Sequence, residues 1–353
     1  MPAERLSVGG RFRACGLAGL AAASALSLGL SAARDLSLLT QGAVIVTACA
    51  VFVALALVTK AVVGREQLVY YHHEVAVLSA CGGLLVVLGA PVLAHLDVTA
   101  AGLGAFLVGG RTGCLLAGCC HGRPARRGVR YGPEHAAAGF PGCLVGVRLL
   151  PVQALEAVGA AALAAAGSTL VAAGEPAGSA LGLYVSGYAV LRFALEPLRG
   201  DAARPYHAGL SAAQWWSLGL AATVAAAGVA GLLPGGAVHV GPALAIALAA
   251  VAVRRRHDDL FAARHVCELA EGLQRVDRRG SRPVTVFETS LGVRLSRGRD
   301  AGCEHYTLSR RPGALSGSEG AALARLVLRL RHDGAEGRIV PGVAGAVHVV
   351  VRG

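Results

Sequence analysis

The sequence predicts an all-α polytopic membrane bundle of seven to eight spanning helices, followed by a small C-terminal α+β soluble domain. Three observations carry this. Apolar residues make up 54% of the 353-residue chain, above the about 45–50% of soluble domains. Charged residues are only 15%, where about 25% is usual. The apolar residues also gather into runs near the about 20 residues that a bilayer crossing requires. Aromatics are only 5%, so the excess is Ala, Val, Leu and Gly. This composition excludes a disordered chain, a collagen-like chain and a small disulfide scaffold.

Eight runs qualify as spans: 14–33, 42–63, 75–94, 97–118, 153–173, 178–196, 211–233 and 236–253. The first follows Arg5, Arg11 and Arg13 and has the outline of a signal peptide. Its length and the close-following second run favour a spanning helix. The last two runs are divided by Leu233-Pro234-Gly235-Gly236, a strong break.

The chain changes character at Arg254-Arg255-Arg256. This places a transmembrane domain over 1–253 and a soluble domain over 254–353. The soluble part holds 18 Arg and 11 acidic residues and no further spanning run. Its patterning predicts a helix over 258–276, a strand over 284–295, an amphipathic helix over 319–331 and a strand over 346–351.

Net charge is +12, from 33 basic and 21 acidic residues, and Lys60 is the only lysine. In a membrane protein such an excess marks cytoplasmic loops and anionic lipid headgroups, not nucleic acid. With eight spans and an internal N-terminus, the inner segments hold 15 basic residues. They are Arg5, Arg11, Arg13, Lys60, Arg65, Arg123, Arg126, Arg127, Arg130, Arg148, Arg199, Arg204 and Arg254 to Arg256, against Arg34 alone outside. The positive-inside rule therefore puts the tail in the cytoplasm.

Ionisable residues inside spans cost about 2.5–3.5 kcal/mol even on insertion scales, so they are candidate site residues. Arg111 lies in the fourth run, within Gly109-Gly110-Arg111-Thr112-Gly113-Cys114. Arg192 and Glu196 lie four apart on one helix face, with Arg199 nearly another turn on. A structural ion pair or snorkelling accounts for Arg192 and Glu196 alone. Arg111 has glycine neighbours that leave room for a ligand. A guanidinium grips two phosphate oxygens and stays charged in low dielectric, so the set reads as a phospholipid headgroup pocket.

Four blocks resemble the phosphatidylglycerol–prolipoprotein diacylglyceryl transferase family. Gly110-Arg111-Thr112-Gly113-Cys114-Leu115-Leu116-Ala117-Gly118, ending at Gly122, is similar to its glycine–arginine loop. The stretch Pro151-Val152-Gln153-Ala154-Leu155-Glu156 resembles Pro-x-Gln-Leu-Tyr-Glu. Tyr188 to Asp201, with Arg192-Phe193, Glu196 and Arg199, resembles Tyr-Gly-x-x-Arg-Phe-x-x-Glu-x-x-Arg-x-x-Asp. Leu210-Ser211-Ala212-Ala213-Gln214 with Ser217 resembles Leu-Ser-x-x-Gln-x-x-Ser. Order and spacing agree over roughly 75–233.

The resemblance implies a bacterial inner-membrane enzyme of lipoprotein biosynthesis that needs no cofactor. It would move the diacylglyceryl group of phosphatidylglycerol onto the lipobox cysteine thiol of a prolipoprotein signal peptide, releasing glycerol 1-phosphate. Arg111 and Arg192 match the catalytic arginines. Gly110, Gly113, Gln153, Glu156, Glu196 and Arg199 match substrate-binding positions. A related enzyme with another acceptor, or a non-catalytic lipid-binding module, are the rival readings. The resemblance also places the arginine loop outside the cytoplasm, against the charge count.

This chain departs from the family at polar positions. Cys114, Ala117 and Cys119 replace Asn, Asn and Glu, and Cys81-Gly82-Gly83 replaces His-Gly-Gly. The group that takes the thiol proton is then open: His72, His73 and His121 are candidates, with Tyr71 and Glu74 beside the first two. Interfacial solvation is the plainer account of these histidines. Cys114, Cys119, Cys120 and His121 form a zinc-type ligand set without zinc-type spacing, so small packed residues are expected there, not a metal.

Overall fold

The computed structural model describes residues 7–64, 69–201, 205–254, 259–279, 285–300, 302–331 and 337–352. Arg5, Arg65, Arg204, Arg255, Arg256 and Val284, which enter the charge count and the strand expectation above, lie outside them. The chain divides into two compact units. The first comprises 1–116, 153–197 and 205–256; the second comprises 117–152, 198–204 and 257–353.

The first unit is helical. Its helices are α1 (Val8–Ala33), α2 (Leu38–Val63), α3 (Tyr70–Val87), α4 (Val92–Ala117), α5 (Val152–Ala173), α6 (Ser179–Leu195), α7 (Ala212–Val229) and α8 (Val240–Arg254). Four of them, α1, α2, α4 and α5, are long and apolar enough to cross a membrane. The other four run to 18 residues or fewer, so a count of seven to eight spans is not established. The third run breaks earlier than its hydropathy suggests. α3 stops at Val87 because Gly89 takes a left-handed conformation (φ 62°) and Pro91 has no N–H to continue the ladder.

Helix starts are set by polar side chains that satisfy orphan N–H groups. The Asp97 carboxylate, on α4, accepts from Gly178 N and Leu181 N at 2.7 Å each and so caps α6. Ser211 and Gln214 form a capping box that opens α7: the Ser hydroxyl accepts from Gln214 N (3.2 Å) and the Gln carbonyl accepts from Ser211 N (3.0 Å).

Small residues let α1 and α4 approach closely. A Cβ at Gly109 would fall 2.6 Å from Gly19 Cα, and one at Gly113 would fall 3.1 Å from the Phe12 ring. Ser27 donates to Val98 O at 3.1 Å along the same contact. Without a hydrophobic drive in lipid, such backbone approach is what holds helices together.

The second unit surrounds one apolar core. It contains β1 (Pro124–Val129), α9 (Ala263–Arg279), β2 (Val286–Glu288), β3 (Val293–Asp300), β4 (Cys303–Arg310), α10 (Gly317–Leu330), β5 (Gly337–Pro341) and β6 (Val347–Arg352). The last five strands form an antiparallel sheet in the order β2-β3-β4-β6-β5. Inward-facing Leu295, Leu308, Val347 and Val349 pack with Leu269 and Leu273 of α9 and Leu323 and Val327 of α10.

One expectation is corrected here. The single strand expected over 284–295 is a hairpin, because the chain turns at Gly292 (φ 72°), where a Cβ would strike Arg311 O. The second unit groups residues 117–152 and 198–204 with the tail. Tyr131, Phe140, Leu144, Val147 and Leu149, from the loop after α4, complete the core that the tail begins.

Candidate functional site

In the first unit, Glu156 of α5 gathers charges from two neighbouring helices. Arg111 Nη2 of α4 lies 2.9 Å from Glu156 Oε1. Tyr188 of α6 donates its hydroxyl to the same oxygen at 2.6 Å. Arg192 Nε is 3.8 Å from it, and Arg192 Nη1 also bonds the Glu196 carboxylate. Tyr188, Arg192 and Glu196 are spaced by four, so one face of α6 presents all three. Glu156 is 1% exposed and Arg111 8%. Charges this deeply buried persist only when paired.

A wall of aromatic rings adjoins this cluster. Tyr188 stacks with Tyr184 (6.1 Å between centroids) and meets Tyr70 and Tyr71 edge-on at 4.8 and 5.6 Å. Tyr70 and Tyr184 share a short hydroxyl–hydroxyl bond. The Tyr71 hydroxyl bonds Ser217 Oγ at 2.6 Å, which ties α3 to the helix that the Ser211–Gln214 box begins. Glu74, one turn beyond Tyr70 on α3, is buried, and neither carboxylate oxygen has a hydrogen-bond partner among the described residues.

The expected site residues divide as follows. Arg111, Arg192, Glu156 and Glu196 converge. Gln153 is buried one turn before Glu156 on α5. The glycines beside Arg111 do different things. Gly109 and Gly113 are filled by α1, so the space expected around them for a ligand is helix contact; at Gly110 an added Cβ would meet nothing within 4 Å. Arg199 belongs to the second unit, where its Nε and Nη2 bond the two Asp201 oxygens at 2.9 and 3.0 Å.

The histidines are also sorted. His72 is exposed, with its ring 5.4 Å from that of Trp216. His73 is buried; Nδ1 bonds Val69 O at 3.0 Å, the ring lies 4.5 Å from Phe52, and Nε2 has no partner among the described residues. His121, in the second unit, bonds Gly122 O at 3.0 Å and packs on Phe140. Burial pushes its imidazolium below the ordinary value, and the Gly122 carbonyl offsets this only in part.

Cys81, at the family's His position, is fully buried and donates to Val44 O at 3.6 Å, so it packs α3 on α2. Cys114 lies on α4 in the first unit, while Cys119 and Cys120 lie in the second. Sequence reasoning passed over Tyr188, Tyr184 and Ser217 as site residues. For Tyr188 the signal was present in its four-residue spacing from Arg192.

Residues 73–230 match the family model of prolipoprotein diacylglyceryl transferase. This segment belongs to that family. The match holds all four of the converging charges and the aromatic wall except Tyr70 and Tyr71. No curated protein and no solved structure matches the chain. The match over this segment supports a transferase, and it and the four helices long and apolar enough to cross a membrane support a membrane protein.

Proposed function

We propose that the protein transfers the diacylglyceryl group of phosphatidylglycerol to the cysteine thiol of a prolipoprotein lipobox, releasing glycerol 1-phosphate. The observation that carries this is the convergence of Arg111 and Arg192, from two helices, on Glu156. In the reaction the acceptor sulfur attacks the terminal glyceryl carbon of the diacylglyceryl group. The carbon–oxygen bond to phosphate breaks, and the electron pair leaves on the phosphate. Two buried guanidiniums stabilise that charge best where water is excluded. Glu156 and Glu196 hold them in place and balance them before substrate enters.

The acceptor must lose its proton to attack well. Glu74 fits that task better than His72, His73 or His121, because it is a buried carboxylate with no competing partner among the described residues. Substituting Glu74 by Gln is expected to lower turnover in a protein that still folds.

The test uses purified protein, labelled phosphatidylglycerol and a lipobox-cysteine peptide. Labelled peptide and glycerol phosphate are expected, with a loss of at least about 100-fold in Arg111→Ala and in Arg192→Ala. Labelled lipid that is bound but never transferred, in well-folded protein, would favour the non-catalytic lipid module. Transfer to a different thiol or hydroxyl would favour the related enzyme.

The basic count carries the cytoplasmic placement of the tail. Because the tail and residues 131–149 share one core, the same placement holds for the loop after α4. Cys119 is exposed. In intact cells, a variant retaining only this cysteine should resist an impermeant maleimide; rapid labelling would move loop and tail together to the outer face.

A further inference from the structure

We propose that Trp215 and Trp216, at the head of α7, form a docking surface for a phospholipid leaflet, seated at the boundary between its headgroups and acyl chains. They are the only two tryptophans in the chain, and both are exposed, at 42% and 38%. An indole offers a broad apolar ring with one polar edge, which suits that boundary better than water or hydrocarbon. Trp215 is held in place, because its Nε1 donates to His207 O at 3.0 Å. His207 belongs to a short hairpin that pairs Tyr206-His207 with Leu210-Ser211 just before the helix. Tyr206 of this hairpin is exposed as well. The Trp216 ring lies 5.4 Å from that of the exposed His72, so the heads of α3 and α7 are level.

The rest of α7 suits the hydrocarbon below that boundary. From Leu218 to Val229 the helix carries no charge. Its exposed stripe continues from Trp215 through Gly219, Ala222, Ala226 and Val229, spaced by three or four residues. Beside this stripe Thr223 is exposed, and its hydroxyl donates to Gly219 O at 2.9 Å. That face therefore presents lipid with no polar side chain in need of a partner, as hydrocarbon requires. Exposed basic residues lie at the same end as the tryptophans. Phe12 of α1 packs at Gly113, two residues past Arg111, and Arg13 follows it. Phe52 of α2 lies 4.5 Å from His73, and Lys60 lies about two turns further along α2. Cations at this rim meet phosphate headgroups, while the indoles sit just beneath them.

Contacts carry this level inward to the buried charges. Ser217, next to Trp216, bonds the Tyr71 hydroxyl at 2.6 Å. The Tyr71 ring lies 5.6 Å from that of Tyr188, which donates to Glu156. The Arg111, Arg192 and Glu156 cluster then lies close to the indole level, not at mid-bilayer. On the reading of the chain as a phospholipid-dependent transferase, a donor lipid brings its phosphate to these guanidiniums without leaving its leaflet.

The experiment places the full-length protein in vesicles of phosphatidylcholine and phosphatidylglycerol and follows its tryptophan fluorescence. Separate preparations carry a lipid nitroxide at the headgroup, high on the acyl chain or near its methyl end. The first two are expected to quench several-fold more strongly than the third. Trp215→Phe and Trp216→Phe, each leaving one tryptophan, should keep that order, and a reversal in either overturns the proposal. Quenching that is equal at all depths, or strongest from the methyl end, overturns it too, since the pair would then not lie at the boundary. Quenching by aqueous iodide with none from any lipid nitroxide overturns it in favour of a face turned to water. Protection from every quencher overturns it in favour of protein cover, such as a second copy of the chain. The readout needs no turnover, so its failure is distinct from a failure of the transfer assay.

Discussion

Glu156 is the residue on which the site turns. It takes bonds from Arg111 and Tyr188 on a single oxygen while 1% exposed. Glu156→Gln keeps its shape but removes the carboxylate that Arg111 and Arg192 share, and breaking a buried pair costs about 3–5 kcal/mol. A lowered unfolding temperature and lost turnover are expected together, with Glu156→Asp recovering part of each. Tyr188→Phe removes only one bond to a charged acceptor, about 1.5–3 kcal/mol, and should weaken catalysis without unfolding the chain. A stable and fully active Glu156→Gln protein would refute the reading. Of this cluster, the pairing of Arg192 with Glu196 was legible from spacing on one helix. That Glu156 answers Arg111 was not, because 45 positions and two helix directions separate them.

Elements carry the site through contacts that sequence spacing only hints at. α4 presents Arg111 two residues after Gly109, where its backbone closely approaches that of α1. Gly109→Leu should wedge α1 from α4, lowering the unfolding temperature and displacing Arg111. The check is a thermal scan beside the transfer assay, and Gly110→Ala, which has open space, is the control for stability. The Ser211–Gln214 motif was visible as a family block; its work is to start α7 and aim Ser217 at Tyr71. Ser211→Ala should cost about 0.5–2 kcal/mol and is read in the same scan.

At the scale of the whole molecule, the second unit depends on segments far apart in the chain. Removing 257–353 would strip Tyr131, Phe140, Leu144 and Leu149 of their partners. Limited proteolysis of that truncated protein should cut between 123 and 150, where the intact chain resists. Within the tail, Glu304 accepts from Arg297 and from Arg331 (2.9 Å). Burial raises its carboxyl, but these two hydrogen bonds outweigh that and hold it below the usual range. A depressed carboxylate stabilises the fold above the ordinary value of about 4.3, and that contribution is lost as pH falls through the lower native value. Glu304→Gln should therefore destabilise this unit at pH 7 and flatten its acid unfolding limb.

The sequence by itself determined what local chemistry dictates: a membrane-type composition, the apolar helices, the basic tail, and family blocks whose order survives without knowledge of the fold. It marked Arg111 and Arg192 because charge inside an apolar run is costly wherever the run packs. Only the tertiary structure decided which anion meets those arginines, that Gly109 and Gly113 serve α1 while Gly110 stays open, and that Cys81 packs where a histidine was looked for. It also joined the loop after α4 to a tail beginning more than 100 residues later. These are contacts between distant segments, and hydrophobic pattern is nearly silent about them when every face of a helix is apolar. In the tail, a single apolar period concealed a turn, because one glycine with positive φ reverses the chain without interrupting the pattern.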